Sequence, residues 1–360
     1  MADLTGWGLY TVNWVGCGLF SGVQLNEPPA VRRPRIKICP EESEAAYHCI
    51  TRTVNRERLI DDVAKEVLRR QMWQVADFCG VKIITYAILD NHFHVLLRVP
   101  QQQPIPDFEL LRRYQVLYPK PTVYQMARLE VIKSELDTNG PEARMWRNRQ
   151  LALMGDVSQF MKLLKQRFSI WFNRTHQRVG TLWAERFKSV LIEVEENALQ
   201  VIAAYIDLNS VRAGLALDPM KYRFCGYAEA VAGNVLAQQG IQSITSHGDW
   251  STAHAHYREM IFGTGAAVRE CAASIPFAEF KRVLSAGGDL PLATVLRCRL
   301  RYFTDGAILG SRAFISVQLA RYRQRNGPCP RTGPRALPAG VEWSGLMTLR
   351  ALRQHRRAGI

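Results

Sequence analysis

At 360 residues the chain is long enough for about two domains around a sizeable buried core. Its 47% hydrophobic and 22% charged residues match an ordinary globular protein and exclude a disordered or fibrous one. Lys and Arg number 47 against 32 Asp and Glu, a formal net charge of +15; this predicts attraction to polyanions, nucleic acid first, with a basic protein that binds none as the plainer alternative.

Residues 1–43 read as an N-terminal segment and linker. The apolar stretch from Leu9 to Phe20 lacks a basic flank, carries Asn13 and is too short to span a bilayer. It fits a strand, a small buried element or a loose tail, and no membrane association is expected. Asn26 to Arg35, with Pro28, Pro29 and Pro34, is linker-like. Ala46 to Thr53 alternates as a first strand. From Glu57 to Cys79 the residues Leu59, Ile60, Val63, Val67, Leu68, Met72 and Val75 recur at helical spacing until Gly80 stops the helix. Lys82 to Leu89 and His92 to Val99, joined at Asp90-Asn91, form a β-hairpin.

Pro100 and the run Gln101 to Pro106 then break the pattern, and residues 101–156 read as an inserted, partly helical segment with no assigned role. Val157 to His176 is a second amphipathic helix with Phe160, Leu163, Leu164, Phe168, Trp171 and Phe172 inward. A strand follows from about Phe187 to Val194. A third helix, opened by Glu195 and Glu196, runs to about Ala213 and stops at Gly214. The order β-α-β-β-α-β-α is that of an α+β, ferredoxin-like split βαβ antiparallel sheet with one extra helix, spanning residues 44–234.

Residues 235–360 are expected to be a mostly helical, basic C-terminal region. Phe277, Phe280, Val283 and Leu284, then Leu292, Val295, Leu296 and Leu300, recur at helical spacing. The turn at Asp305-Gly306 with Ile308 to Leu319 suits either a helix-turn-helix-like module or a helical cap on the preceding domain. Arg331 to Ile360 reads as a loose basic arm. The eight cysteines form no C-x-x-C pair, which favours reduced thiols and a cytoplasmic location.

His92 and His94 lie two apart on one strand, so both imidazoles project from one face and can bind one metal ion. Two satisfied histidines on a half-buried strand would give the same spacing. Tyr205 and Asn209, four apart on the third helix, share a side. Two imidazoles and an amide oxygen form a neutral ligand set suited to a partly hydrated Mg²⁺ or Mn²⁺ completed by substrate phosphate oxygens. Such an ion withdraws charge from a phosphate while a tyrosine attacks it in line, which a phenol of ordinary pKa near 10 needs. His254-Ala255-His256 repeats the H-x-H spacing in a helical context, where residues two apart diverge, and is assigned no metal. Lys162, Lys165, Arg167, Arg174, Arg178, Arg186 and Lys188, with Trp171 and Trp183 among them, combine cations and aromatics in the way single-stranded DNA binding uses. A solvated helix face would also place lysines there.

Leu89-Asp90-Asn91-His92-Phe93-His94-Val95 resembles the H-x-H hairpin of the IS200-like, single-tyrosine HUH transposases. Leu182-Trp183-Ala184-Glu185-Arg186-Phe187-Lys188 and Tyr205-Ile206-Asp207-Leu208-Asn209-Ser210-Val211-Arg212-Ala213-Gly214 resemble their downstream signature, closest to the REP-associated tyrosine transposases. The resemblance covers about residues 44–230. It implies metal-dependent cleavage of single-stranded DNA beside a hairpin, a 5′-phosphotyrosine intermediate, a free 3′-hydroxyl and rejoining. It makes His92, His94 and Asn209 metal ligands and Tyr205 the nucleophile, in a monomer or a homodimer. Two departures stand out: Ser210 replaces the proline of relatives, and the 101–156 segment is longer than their connection. The same residues admit a hairpin-binding protein that no longer cuts, or a replication initiator or relaxase using the same chemistry.

Overall fold

The computed structural model describes residues 34–246, 248–262, 296, 302–327, 333–337 and 343–350. Expectations for Leu9 to Phe20, most of the linker, the helical spacing from Phe277 to Leu300 (Leu296 apart) and much of the basic arm lie outside these residues. Strand β1 (Ala45–Arg52) leads into helix α1 (Asp62–Cys79), which Asp61 caps by accepting the Ala64 amide and Gly80 ends at φ +68°. Strands β2 (Lys82–Leu89) and β3 (His92–Val99) form the expected hairpin. Helix α5 (Val157–Thr175) then crosses back to β4 (Lys188–Ile192), and the sheet runs β2-β3-β1-β4 with every neighbour antiparallel. This is the split βαβ arrangement that the element order implies.

The register decides what each face carries. Arg52 lies opposite His92, Ile50 opposite His94 and His48 opposite Leu96, so His48, His92 and His94 share one face. On the other face Phe93 meets Trp183, which meets Phe168 of α5. The hairpin turn is held to the start of α1: Lys65, buried at its own side chain, pairs with Asp90 at 2.7 Å, and the Ile60 amide donates to the Asp90 carbonyl at 2.8 Å. His92 therefore sits on a strand end with little freedom to move.

Residues 101–156 contain three helices, α2 (Asp107–Leu117), α3 (Val123–Asp137) and α4 (Pro141–Leu151), with a small core of Leu110, Ile132, Leu136, Ala143 and Trp146. Arg112 fastens this unit to α1 through both Asp77 carboxylate oxygens, at 2.9 and 2.6 Å. After β4 come α6 (Glu196–Asp207), α7 (Asn209–Arg212), α8 (Gly226–Val231), α9 (Val235–Gln242) and α10 (Trp250–Phe262). His254 and His256 lie on α10, where the His254 ring stacks on Trp250 at 5.3 Å.

The C-terminal region is helical only in part. Helices α11 (Tyr302–Asp305) and α12 (Arg312–Asn326) flank strand β5 (Gly306–Gly310), and β6 (Arg335–Ala336) and β7 (Met347–Arg350) follow. Strand β5 joins β4 in parallel, with Leu191 opposite Ile308, and the sheet continues β4-β5-β7-β6. The segment around Ile308 is therefore a sheet strand and not part of a helix-turn-helix. Its short apolar run suits a strand or a buried helix equally by periodicity, and pairing with the open edge of β4 decides between them. Among the described residues no helix is long and apolar enough to cross a membrane.

Candidate active site

Each histidine of the β3 pair has one ring nitrogen committed to a neighbour. His92 Nδ1 lies 2.6 Å from the Asn91 side-chain oxygen, whose amide nitrogen donates to the Arg56 carbonyl at 2.9 Å. That second bond orients the Asn91 amide, so its oxygen accepts and His92 Nδ1 carries the proton. The lone pair of His92 is then on Nε2. The two rings are 5.2 Å apart at their centroids and inclined by 70°.

His94 is 2% exposed and His48 fully buried. His94 Nδ1 stands 2.8 Å from His48 Nε2, and His48 Nδ1 stands 2.8 Å from the Phe303 carbonyl. Burial lowers His48 to about pKa 4, the Phe303 carbonyl opposing in part. Burial, then the positive charge that His48 and His92 would carry, holds His94 well below the usual histidine value. Both rings are neutral at physiological pH. His48 did not stand out in the sequence.

Tyr205 reaches the histidines from α6. Its ring centroid lies 6.5 Å from His94 and 6.4 Å from His48, both edge-on, and it is 2% exposed. Phe303 covers it at 5.0 Å, with Trp343 behind at 5.9 Å. The expected third helix runs into a break at Leu208, so α6 and α7 are separate turns. Carbonyls at the break are taken up by side chains. Asn209 Nδ2 donates to the Ile206 carbonyl at 3.0 Å, and Ser210 Oγ to the Asp207 carbonyl at 3.2 Å. Thus Ser210 bonds a carbonyl that a proline at this position could not serve. With its nitrogen turned onto the helix, Asn209 has its oxygen as the atom able to face a cation.

Arg212 closes the cluster. Its guanidinium lies 4.1 Å from the Tyr205 ring centroid and donates to the Tyr205 carbonyl at 2.5 Å and the Leu296 carbonyl at 2.6 Å. Among the described residues no three His, Cys, Asp or Glu side chains gather as a metal site. A cation here would rest on His92 and His94 Nε2 and the Asn209 oxygen, with other oxygens from outside the chain. The chemistry of this donor set fits a hard divalent ion that keeps water.

The seven basic residues divide. Lys162, Arg174 and Arg186 are exposed, while Lys188 is exposed and pairs with Asp305 at 3.2 Å. Lys165 donates to the Glu185 carbonyl at 2.8 Å beside Trp183, and burial lowers it to about pKa 8. Arg167 donates to the Leu117 carbonyl at 2.8 Å and anchors the insertion, and Arg178 is half-buried. Arg35, read from sequence as the end of a linker, lies 3.7 Å over the Phe187 ring and adds a cation near Arg186.

No curated protein matches the chain. A solved structure described as a REP-associated tyrosine transposase bound to a REP hairpin shares 14% identity with it, over 56% of this chain and 84% of that one, at a TM-score of 0.35. Residues 41–109 match the family model described as Transposase IS200 like, and this stretch carries β1 with His48, helix α1 and the hairpin with His92 and His94.

Proposed function

We propose that the protein cleaves and rejoins single-stranded DNA beside hairpins, with Tyr205 as the nucleophile. The observation that carries this reading is the approach of the Tyr205 ring to within 6.5 Å of His94, on the sheet face that also bears His92. The transposase-like match of residues 41–109 and the Tyr205 to Gly214 motif support the choice of DNA as substrate. The Tyr205 oxygen forms a bond to the scissile phosphorus, the bond from phosphorus to the 3′ oxygen breaks, and that oxygen leaves as a 3′-hydroxyl after taking a proton. The tyrosine's own proton passes to solvent. Attack by a 3′-hydroxyl on the phosphotyrosine reverses these changes, so rejoining needs no outside energy source. His92, His94 and Asn209 would hold Mg²⁺ or Mn²⁺, which when bound stabilises the charge that builds on the phosphate oxygens. Arg212 holds the Tyr205 ring and puts a permanent positive charge beside it.

Hairpin-bearing single-stranded DNA incubated with the protein and Mn²⁺ or Mg²⁺ should yield a protein–DNA adduct that resists denaturation. Tyr205→Phe should abolish it. An adduct that persists in that variant would remove Tyr205 as the nucleophile. One observation favours a second reading, a hairpin-binding protein that does not cut: Tyr205 is enclosed by Phe303 and Arg212. That reading gains if the DNA binds tightly and no divalent metal produces an adduct.

A further inference from the structure

We propose that His48 is a positioning residue that fixes His94 in the tautomer able to bind metal. The inference rests on the reading that His92 and His94 hold a divalent ion. It concerns a residue on another strand that would touch neither the ion nor the DNA.

The argument starts at the far end of the chain of bonds. The Phe303 carbonyl can only accept, so the nitrogen 2.8 Å from it, His48 Nδ1, must carry a hydrogen. A neutral imidazole has one N–H, so His48 Nε2 is bare and accepts. Its partner at 2.8 Å, His94 Nδ1, must then donate. That leaves the lone pair of His94 on Nε2, the nitrogen turned away from His48. Reversing the direction would require an imidazolium at His48, in a position with no solvent exposure, or two bare nitrogens facing each other.

A metal-binding histidine needs its other nitrogen held by an acceptor, which sets ring orientation and raises basicity. Asn91 meets that need for His92. For His94 it is met by a second imidazole that passes the requirement to a backbone carbonyl 255 residues further along the chain. Residue Phe303 thereby contributes through its main chain to a centre built on β1 and β3. The 5.1 Å stacking of the His48 and His94 rings further restricts His94.

The first test uses the full chain with ¹⁵N-labelled histidine, without metal or DNA, because ring nitrogen shifts distinguish N–H from bare nitrogen. His48 and His94 should both carry hydrogen on Nδ1 and none on Nε2. A hydrogen on His94 Nε2 would overturn the proposal, whatever the variants do. The second test titrates Mn²⁺ and reads the free ion by electron paramagnetic resonance. His48→Leu, which removes the acceptor, should raise the Kd by about 10- to 100-fold. His48→Gln, whose amide oxygen can still accept, should recover most of the affinity. Equal affinity in the wild type and His48→Leu, or no recovery in His48→Gln, would count against positioning. Wild-type protein that takes up no Mn²⁺ overturns both this inference and the metal reading beneath it. Mn²⁺ uptake with the expected tautomers but no DNA adduct supports the inference and sinks only the proposed reaction.

Discussion

Tyr205 and Arg212 are joined through ring and carbonyl, so the guanidinium helps to set the position of the candidate nucleophile beside Phe303 and the two histidines. A lysine has neither the planar fork for two carbonyls nor the flat face for the ring. Arg212→Lys should therefore lower stability by about 1–3 kcal/mol and slow adduct formation by about tenfold, while Mn²⁺ affinity stays at the wild-type value. Single-turnover adduct kinetics beside a Mn²⁺ titration separate the two effects, and an unchanged adduct rate would remove Arg212 from the positioning of Tyr205. The spacing of Tyr205 and Asn209 was legible because residues four apart on a helix share a side, whereas nothing in the sequence singled out Arg212, which lies beyond the break at Leu208. His48 was not legible, for a definite reason. All but the last residue of β1 is buried, so no polar alternation assigns His48 to either face, and the register that sets it diagonally against His94 arises only after α1 has returned the chain to the sheet.

Strand β2 lies at the edge of the sheet, and the stretch from Tyr222 through α9 covers it. The Ile88 amide donates to the Phe224 carbonyl at 2.9 Å, the Tyr222 hydroxyl donates to the Ile88 carbonyl at 2.7 Å, and Ala87 bridges Cys225. These contacts occupy groups that would otherwise recruit a foreign strand. Helix α9 approaches the irregular stretch of β2 between Ile83 and Thr85 so closely that a Cβ on Gly240 would stand 2.5 Å from the Ile84 carbonyl oxygen and 2.7 Å from that of Ile83. Alanine favours an open helix over glycine by about 1 kcal/mol, but here the obstacle is backbone that cannot swing aside. Gly240→Ala should destabilise by about 1–3 kcal/mol in urea unfolding, and a gain in stability would show that α9 sits further from the strand. The hairpin itself was plain in the sequence, whereas α8 was not expected and α9 fell only within a region expected to be mostly helical. Small residues permit the close approach and for the same reason leave little hydrophobic periodicity to detect.

Across the whole molecule the sheet collects strands from both ends of the described chain, and the face of β3 that meets α6 encloses ionisable groups with opposed pH dependence. The split βαβ half was readable because its two long helices carry a strong period and the hairpin between them is marked by its turn. The β5-β7-β6 extension was not, since its strands are short and their partner, the edge of β4, is distant in sequence. Asp207, at the end of the helix that carries Tyr205, accepts from Thr85 Oγ1 at 2.7 Å and Tyr257 Oη at 2.6 Å, and burial raises it to about pKa 7. Unfolded, it ionises at the ordinary aspartate value of 3.8, so between about pH 4 and 7 the folded state keeps a proton that the unfolded state has lost. Its contribution to stability consequently falls as pH rises through that window, by about 4 kcal/mol in all. His48, held at about pKa 4 against 6.5 when unfolded, acts the other way: stability is complete above pH 6.5 and falls by about 3 kcal/mol as pH drops towards 4. His94 has the same sign. The opposing slopes offset each other in the wild type between about pH 4 and 6.5. Asp207→Asn keeps the shape of the side chain, and the Tyr257 hydroxyl can turn to accept from the new amide. Denaturant unfolding at steps from pH 4.5 to 7.5 should show the variant's stability climbing with pH relative to the wild type, by about 3 kcal/mol over that range, because the Asp207 slope is gone. Parallel curves for the two proteins would mean that Asp207 is already ionised at pH 4.5 in the folded state, so that its hydrogen-bond donors, Thr85, Tyr257 and the Tyr227 amide among them, outweigh its burial.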